Sequence, residues 1–370
     1  MTAPSTCGPQ MPSVAFLTTD FSPHTNPLQP GGCAWYRCYL PMVELREQGW
    51  QVGMGIPDWD HGRGFGLRHT ADTTIAGWDA VVLKLLMRRD TPHQVLEARK
   101  TGQKVIVDVD DFYAGLTPDN QAYAVTDPSN DPERNREHYE HVIAAADVVT
   151  VSTPFLLDYY SERHRCVRMV RNGIDSGRYT RTRDRAGWRP TIGWVGGIPW
   201  RSGDLETLRD WLPEFVEQHE LRLHHSGHLE NRPDRFWAKV GVDESLVSTL
   251  PMQAILDYPG LFSGFQIGLV PLSDIPFNHA KSTIKGLEYA AAGIPFVAAA
   301  SPEYVRLAEL GVGRVASTPD EWVKHVTDLL DPAVRKREAA RQRAIVSSDF
   351  AMRERGKEWA AILDEVVTTP

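Results

Sequence analysis

The sequence predicts an α/β protein built from two doubly wound halves, and three observations lead there. Short apolar runs alternate with helical patterns up to about residue 170, the signature of a parallel sheet with crossover helices. The same alternation restarts at Thr191. Between the two lies Arg171-Asn172-Gly173-Ile174-Asp175, an Asn-Gly turn leading into a polar, irregular stretch at 178–189. A chain of 370 residues also suits two cores better than one.

In the first half, Val14–Thr18 reads as a buried strand and is followed by a loop rich in Pro and Gly that ends at Gly31-Gly32. Ala34 to Gln48 has the apolar spacing of an amphipathic helix closed by Gly49. Strands follow at 50–56, 79–83, 104–108, 148–151 and 167–170, with helices at 91–101, 132–146 and 154–163. In the second half, strands are expected at 191–195, 221–225 and 265–269. Helices are expected from about Asp204 and at 302–310, 319–330 and 349–367. The boundaries expected from this pattern are a first domain at 1–172, a linker at 173–190 and a second domain at 191–348.

Composition excludes several classes. Hydrophobic content is 42% and charged content 24%, ordinary for a globular chain. A net charge of −8 argues against a generic nucleic-acid binder, which needs a basic surface. No run of 18 apolar residues suggests a membrane span, and Met1 to Thr6 has no apolar leader core, so a cytoplasmic protein is expected. Cys7, Cys33, Cys38 and Cys166 lack metal-type spacing and read as reduced thiols, with a Cys33–Cys38 redox pair as the lesser alternative. The thirteen histidines form no HExxH or other paired metal spacing, and no GxSxG, Walker A or CxxC motif occurs. Arg335 to Arg343 is a basic run that reads as a solvated helix face.

The most informative segment is Phe277 to Val297, which reads as loop, helix and strand, with Gly293 and Pro295 stopping the helix. Free N–H groups and the positive dipole end favour an anion near Lys281, Ser282 and Thr283. Lys285 lies one turn beyond Lys281, and Glu288 falls near the same face. Lysines for a diphosphate and a carboxylate for ribose hydroxyls suit a nucleotide; a solvated ion-paired helix is the plain alternative. Gly196-Gly197 after a strand lets backbone approach a phosphate, with Arg201 the local cation or else an exposed loop residue. Ser226-Gly227-His228 and Pro251-Met252 are weaker cleft candidates.

The segment K-S-x-x-K-x-x-E-Y-x-A-x-G-x-P at 281–295 resembles the donor motif of GT-B glycosyltransferases, as does N-G-I-D at 172–175. The resemblance implies two Rossmann-like domains with a cleft between them and a last helix that crosses back onto the first. It implies a nucleotide-sugar donor, a UDP- or GDP-sugar, held by Gly32, Gly196, Gly197, Arg201, Lys281, Ser282, Thr283, Lys285 and Glu288. No cofactor or metal is expected beyond that co-substrate. The sequence departs from the family at Ser202-Gly203, in place of a lysine-glycine pair, and at Ala280, eight residues before Glu288, where retaining members carry a Glu. Asn278, His279 or backbone N–H groups are candidate substitutes.

On the acceptor side, Asp108, Asp110 and Asp111 follow a buried strand at a sheet's C-terminal edge, where ligands bind. Asp110 and Asp111 are the candidate bases for an acceptor hydroxyl, with helix capping or Mg²⁺ ligation as alternatives. Arg37 is the choice for an anion contact, Trp35 and Tyr36 read as packing, and Lys84 is a minor cleft candidate. The acceptor is unspecified: a glycan, lipid-linked sugar, protein or modified DNA base. A nucleotide-sugar epimerase and a non-catalytic nucleotide-sugar-binding protein are the rival readings.

Overall fold

A computed structural model describes residues 12–22, 25, 27–70, 73–126, 129, 133–180, 189–201, 203–229 and 235–368, and the statements below concern these. Cys7, Pro132, Ser202, the residues before Pro12 and linker residues 181–188 lie outside them. None of the described helices is long and apolar enough to cross a membrane.

Six parallel strands form the first sheet: β1 (Ser13–Thr18), β2 (Gln51–Gly55), β3 (Ala80–Lys84), β4 (Lys104–Val109), β5 (Val148–Val151) and β6 (Val167–Met169), in the order β6-β5-β4-β3-β1-β2. β1 and β3 are buried along their whole length because helices cover both faces, which explains their unbroken apolar runs. Alternate residues serve opposite faces. Ala15, Leu17, Val81 and Leu83 join one core, and Val14, Phe16, Ala80 and Val82 the other.

The second sheet holds β7 (Thr191–Val195), β8 (Arg222–His228), β9 (Val247–Pro251), β10 (Ile267–Val270), β11 (Phe296–Ala299) and β12 (Arg314–Ala316) in the order β9-β8-β7-β10-β11-β12. Chain order therefore breaks between β7 and β10 here, and between β1 and β3 in the first sheet. Those breaks open the crevices where such sheets take ligands. β9, β12 and an antiparallel excursion (Pro57–Asp60, Gly64–Thr70, Thr73–Ile75) occupy stretches that the apolar pattern leaves unassigned.

The helix after β1 departs from its expected form. It runs as α-helix over Gly32–Ala34, widens to a π-helical turn over Trp35–Tyr39, and resumes as α-helix over Leu40–Glu47. Pro41 explains the widening, since it has no N–H and its ring crowds the carbonyl four residues back. The Leu40 N–H reaches back to the Trp35 carbonyl instead, and Tyr36 and Arg37 are carried inward.

The chain crosses between the lobes twice, and the crossings lie side by side. The Ile174 N–H donates to the Phe350 carbonyl at 2.8 Å, and the Met352 N–H to the Ile174 carbonyl at 3.1 Å. The helix Pro332–Asp349 ends before the second crossing, so the returning helix begins at Met352 rather than at Asp349 and runs to Thr368. It closes one face of the first sheet, with Trp359 fully buried and edge-on to Phe16 at 5.7 Å.

The basic run at 335–343 is a solvated face only at Lys336, Arg337 and Arg341, which are exposed. Arg335 is 4% exposed and donates to the Leu329 and Leu330 carbonyls, Glu338 pairs with Arg314, and Arg343 donates to the Ser176 and Tyr179 carbonyls. These arginines cap a helix end and anchor the segment after the first crossing. Because Trp359 holds the returning helix, Trp359→Ala should destabilise the protein by about 3–5 kcal/mol. Urea unfolding checks this, and a loss under about 1 kcal/mol would contradict the packing described.

Candidate active site

The C-terminal ends of both sheets face one cavity of about 440 Å³, large enough for a drug-sized ligand. In the second lobe the crevice between β7 and β10 forms around Tyr289. Its hydroxyl accepts the Val195 N–H at 3.2 Å and donates to the Leu269 carbonyl at 3.2 Å, bridging the diverging strands. Gly196 follows β7 with φ +151°, and its carbonyl accepts from His225 Nε2 at 2.9 Å. Burial pushes His225 down to about 4, so the imidazole is neutral and a stable donor to that loop.

The helix Ile284–Ala291 starts at the cavity. Gly196, Gly197, Arg201, Lys281, Ser282, Lys285 and Glu288 all line it. Thr283 does not: it is buried at the helix N-cap, which corrects its expected place among the ligand contacts. The Arg201 Nε is buried without a partner, and its Nη1 lies 4.0 Å from Asp204, leaving guanidinium donors for an anion. Lys281 reaches across to Asp111 of the first lobe at 2.9 Å and sits over the Phe277 ring. The Lys285 ammonium bonds the Val195 carbonyl.

Glu288 is 3% exposed yet lines the cavity. Its carboxylate accepts the Tyr36 hydroxyl at 2.6 Å and the Tyr258 hydroxyl at 3.3 Å. Tyr36 belongs to the first lobe and was expected only to pack. It is a site residue that sequence reasoning missed, because its position depends on the π-helical turn. Burial raises the Glu288 carboxyl, opposed by Lys285 and by the phenols. Burial, then the Arg201 guanidinium, pushes Lys285 down to about 7.

The first lobe supplies Gly31, Gly32, Cys33, Asp110 and Asp111. Asp20 Oδ2 accepts the Ala34 N–H at 2.8 Å, and a Cβ at Gly31 would overlap the Asp20 carboxylate. That carboxylate already takes one N–H of the helix start, beside which Gly32 lies on the wall. Lys84, fully buried, holds Asp110 as Lys281 holds Asp111. The two lysines thus offset the repulsion between these neighbouring carboxylates. Cys33 Sγ and carboxylate oxygens of Asp110 and Asp111 lie within 4.8 Å of one another, a spacing that would suit a cation, but these ammonium groups already supply the positive charge. Arg37 is not an anion contact. It is 1% exposed and pairs with Asp108 through two bonds, at 2.6 and 3.0 Å.

Position 280 also has a physical account. Ala280 and Phe277 pack into the first lobe's core beside Phe112 and Leu116, and the Ala280 carbonyl accepts from Thr153. A carboxylate there would be buried against apolar side chains. Asn278 bonds Asp204 and Ser273, and His279 pairs with Asp274; neither lines the cavity, so neither substitutes for the missing Glu. Met252 lines it together with Gln253, Ala254 and Ile255, while Ser226 and His228 do not. Cys33, Cys38 and Cys166 are free thiols.

Two such lobes facing one cleft define the GT-B class of glycosyltransferase folds. Residues 205–361 match the family described as glycosyl transferase-like, so the second lobe carries that family's sequence pattern. Among solved structures, sucrose-phosphate synthase from Thermosynechococcus elongatus aligns with a TM-score of 0.67 at 14% identity, over 96% of this chain and 98% of its own. HepE of Anabaena, solved with UDP-glucose, gives 0.63 at 15% identity over 95% and 99%. WaaG, a glycosyltransferase involved in lipopolysaccharide biosynthesis, gives 0.59 at 16% identity over 96% and 100%. At these identities the likeness is one of fold. No curated protein sequence matches the chain.

The position of Lys285 yields a pH dependence. Its ammonium is present below about pH 7 and is lost above it, so a diphosphate placed against it should be held more weakly as the pH rises. UDP-glucose affinity should therefore weaken from about pH 6 to about pH 8, while uridine affinity stays level. Calorimetry with both ligands checks this; parallel profiles would remove Lys285 from the phosphate site.

Proposed function

We propose that the chain is a glycosyltransferase that moves a sugar from a nucleotide-sugar donor to an acceptor hydroxyl. The observation that carries this reading is the convergence on one cavity of Arg201, Lys281, Lys285 and Glu288 from one lobe with Asp110 and Asp111 from the other. The cations hold the diphosphate, each charge-assisted bond contributing about 1.5–3 kcal/mol. Glu288 takes the ribose hydroxyls in place of the phenols of Tyr36 and Tyr258. The Met252–Ile255 segment faces the base. A UDP-sugar is the first donor to test, as HepE of the same fold is solved with one.

In the transfer step the acceptor oxygen forms the new bond to the anomeric carbon. The bond from that carbon to the diphosphate oxygen breaks, and the leaving group keeps the electron pair against Arg201, Lys281 and Lys285. Asp110 or Asp111 accepts the acceptor's proton. The step needs no metal in this reading, because lysines already supply positive charge at the aspartates and on the phosphate wall. The transferred group is proposed to be a hexosyl unit and the acceptor a glycan, lipid-linked sugar, protein or modified base. Closed lobes keep water from the donor.

Two predictions test this. Glu288→Ala should weaken UDP and uridine alike by about tenfold or more, whereas Lys281→Ala should weaken UDP more than uridine. Calorimetry decides, and unchanged affinity in Glu288→Ala would refute the ribose assignment. With UDP-glucose and a panel of saccharide acceptors, Asp110→Asn or Asp111→Asn should lower kcat by about a hundredfold with donor affinity retained, and a chelator should leave the wild-type rate unchanged. Normal turnover in both variants places the base elsewhere. Conversion of the donor sugar with no acceptor present would favour an epimerase, and tight binding without turnover a binding protein.

A further inference from the structure

Asn172 lies in the first crossing, 9% exposed, between the core of one lobe and the donor helix of the other. Its Oδ1 accepts from Arg37 Nη1 at 3.1 Å, and its Nδ2 donates to Ser282 Oγ at 2.8 Å. The direction of each bond in this chain is forced. Arg37 can only donate, and Asp108 and the Val170 carbonyl fix its guanidinium on the other sides at 2.6–3.0 Å. Asn172 must therefore turn its carbonyl to Arg37, which settles the orientation of its amide. Its NH₂ then faces Ser282, whose oxygen must accept. A serine hydroxyl that accepts from an amide keeps its one hydrogen to give away. Ser282 lines the cavity beside Lys281 and Lys285.

We propose that Asn172 is a positioning residue that sets the Ser282 hydroxyl as a hydrogen-bond donor to the donor's diphosphate. The proposal rests on the reading of the cavity as a nucleoside-diphosphate site. It also gives the N-G-I-D segment a role besides its turn: it carries a fixed polarity from the buried Arg37–Asp108 pair to the ligand.

The test is a double-mutant cycle read by calorimetry with UDP and uridine. Asn172→Asp keeps an acceptor for Arg37 but turns a second acceptor toward Ser282, whose hydrogen then points to the carboxylate and away from the ligand. Asn172→Asp and Ser282→Ala should each lower UDP affinity about tenfold and leave uridine affinity unchanged. In the Ser282→Ala background, Asn172→Asp should add less than about a twofold further loss, because both act through one hydrogen. A full further loss there would mean charge repulsion alone and overturn the proposal, as would wild-type UDP affinity in Asn172→Asp. If Asn172→Asp does not fold, Ser282→Ala alone decides: unchanged UDP affinity in it overturns the proposal. Wild-type protein that binds neither UDP nor GDP would instead refute the underlying reading of the cavity.

Discussion

The buried pair of Arg37 and Asp108 is the interaction on which the rest of the structure depends. Neither side chain meets solvent. Such a pair is costly to desolvate, and it is tolerated only where every donor and acceptor is matched. Here they are matched from four directions: Asp108 accepts from Arg37 and from Thr150 of β5, and Arg37 also donates to the Val170 carbonyl and to Asn172. One cluster thus fixes the helix after β1, the strands β4 and β5, and the chain as it leaves for the second lobe. The π-helical turn that brings Arg37 inward also delivers Tyr36 to Glu288. The core of one lobe and the ligand wall of the other are set by the same local distortion.

The cavity is held by the groups proposed to bind the donor. Lys281 rests on Asp111, Glu288 on two tyrosines, and Ser282 on Asn172. Each protein partner resembles part of a nucleotide sugar: a carboxylate for a phosphate, a phenol for a ribose hydroxyl. The polar groups are therefore satisfied in the free protein, and a ligand exchanges one set of bonds for another. Net binding energy then comes from the surplus, chiefly the spare guanidinium donors of Arg201 and the apolar surface at Met252 and Ile255.

Much of the fold was legible because its signals are local. Buried parallel strands are unbroken apolar runs, and Asn172-Gly173 and Gly293-Ile294-Pro295 punctuate the chain where it turns. The donor helix was legible for the same reason, since its lysines, Glu288 and stop signals fall within one short segment. What escaped was set by contacts distant in sequence. Arg37 looked free because its partner lies 71 positions away, and Tyr36 looked like packing because Glu288 lies 252 positions away. Edge strands such as β9, none of whose residues is fully buried, carry too little apolar pattern to be read. The basic run at 335–343 was read correctly at its exposed members and misread at Arg335 and Arg343, because charge alone does not reveal that these two serve carbonyls.

The paired crossings at Ile174 and Phe350–Met352 have a mechanical consequence. A single linker would let one lobe swivel freely about its own bonds. Two segments joined at one parallel bridge, between Ile174 and Ala351, resist torsion and sliding more than a single linker does. The second crossing thereby restricts how far one half can twist or slide against the other.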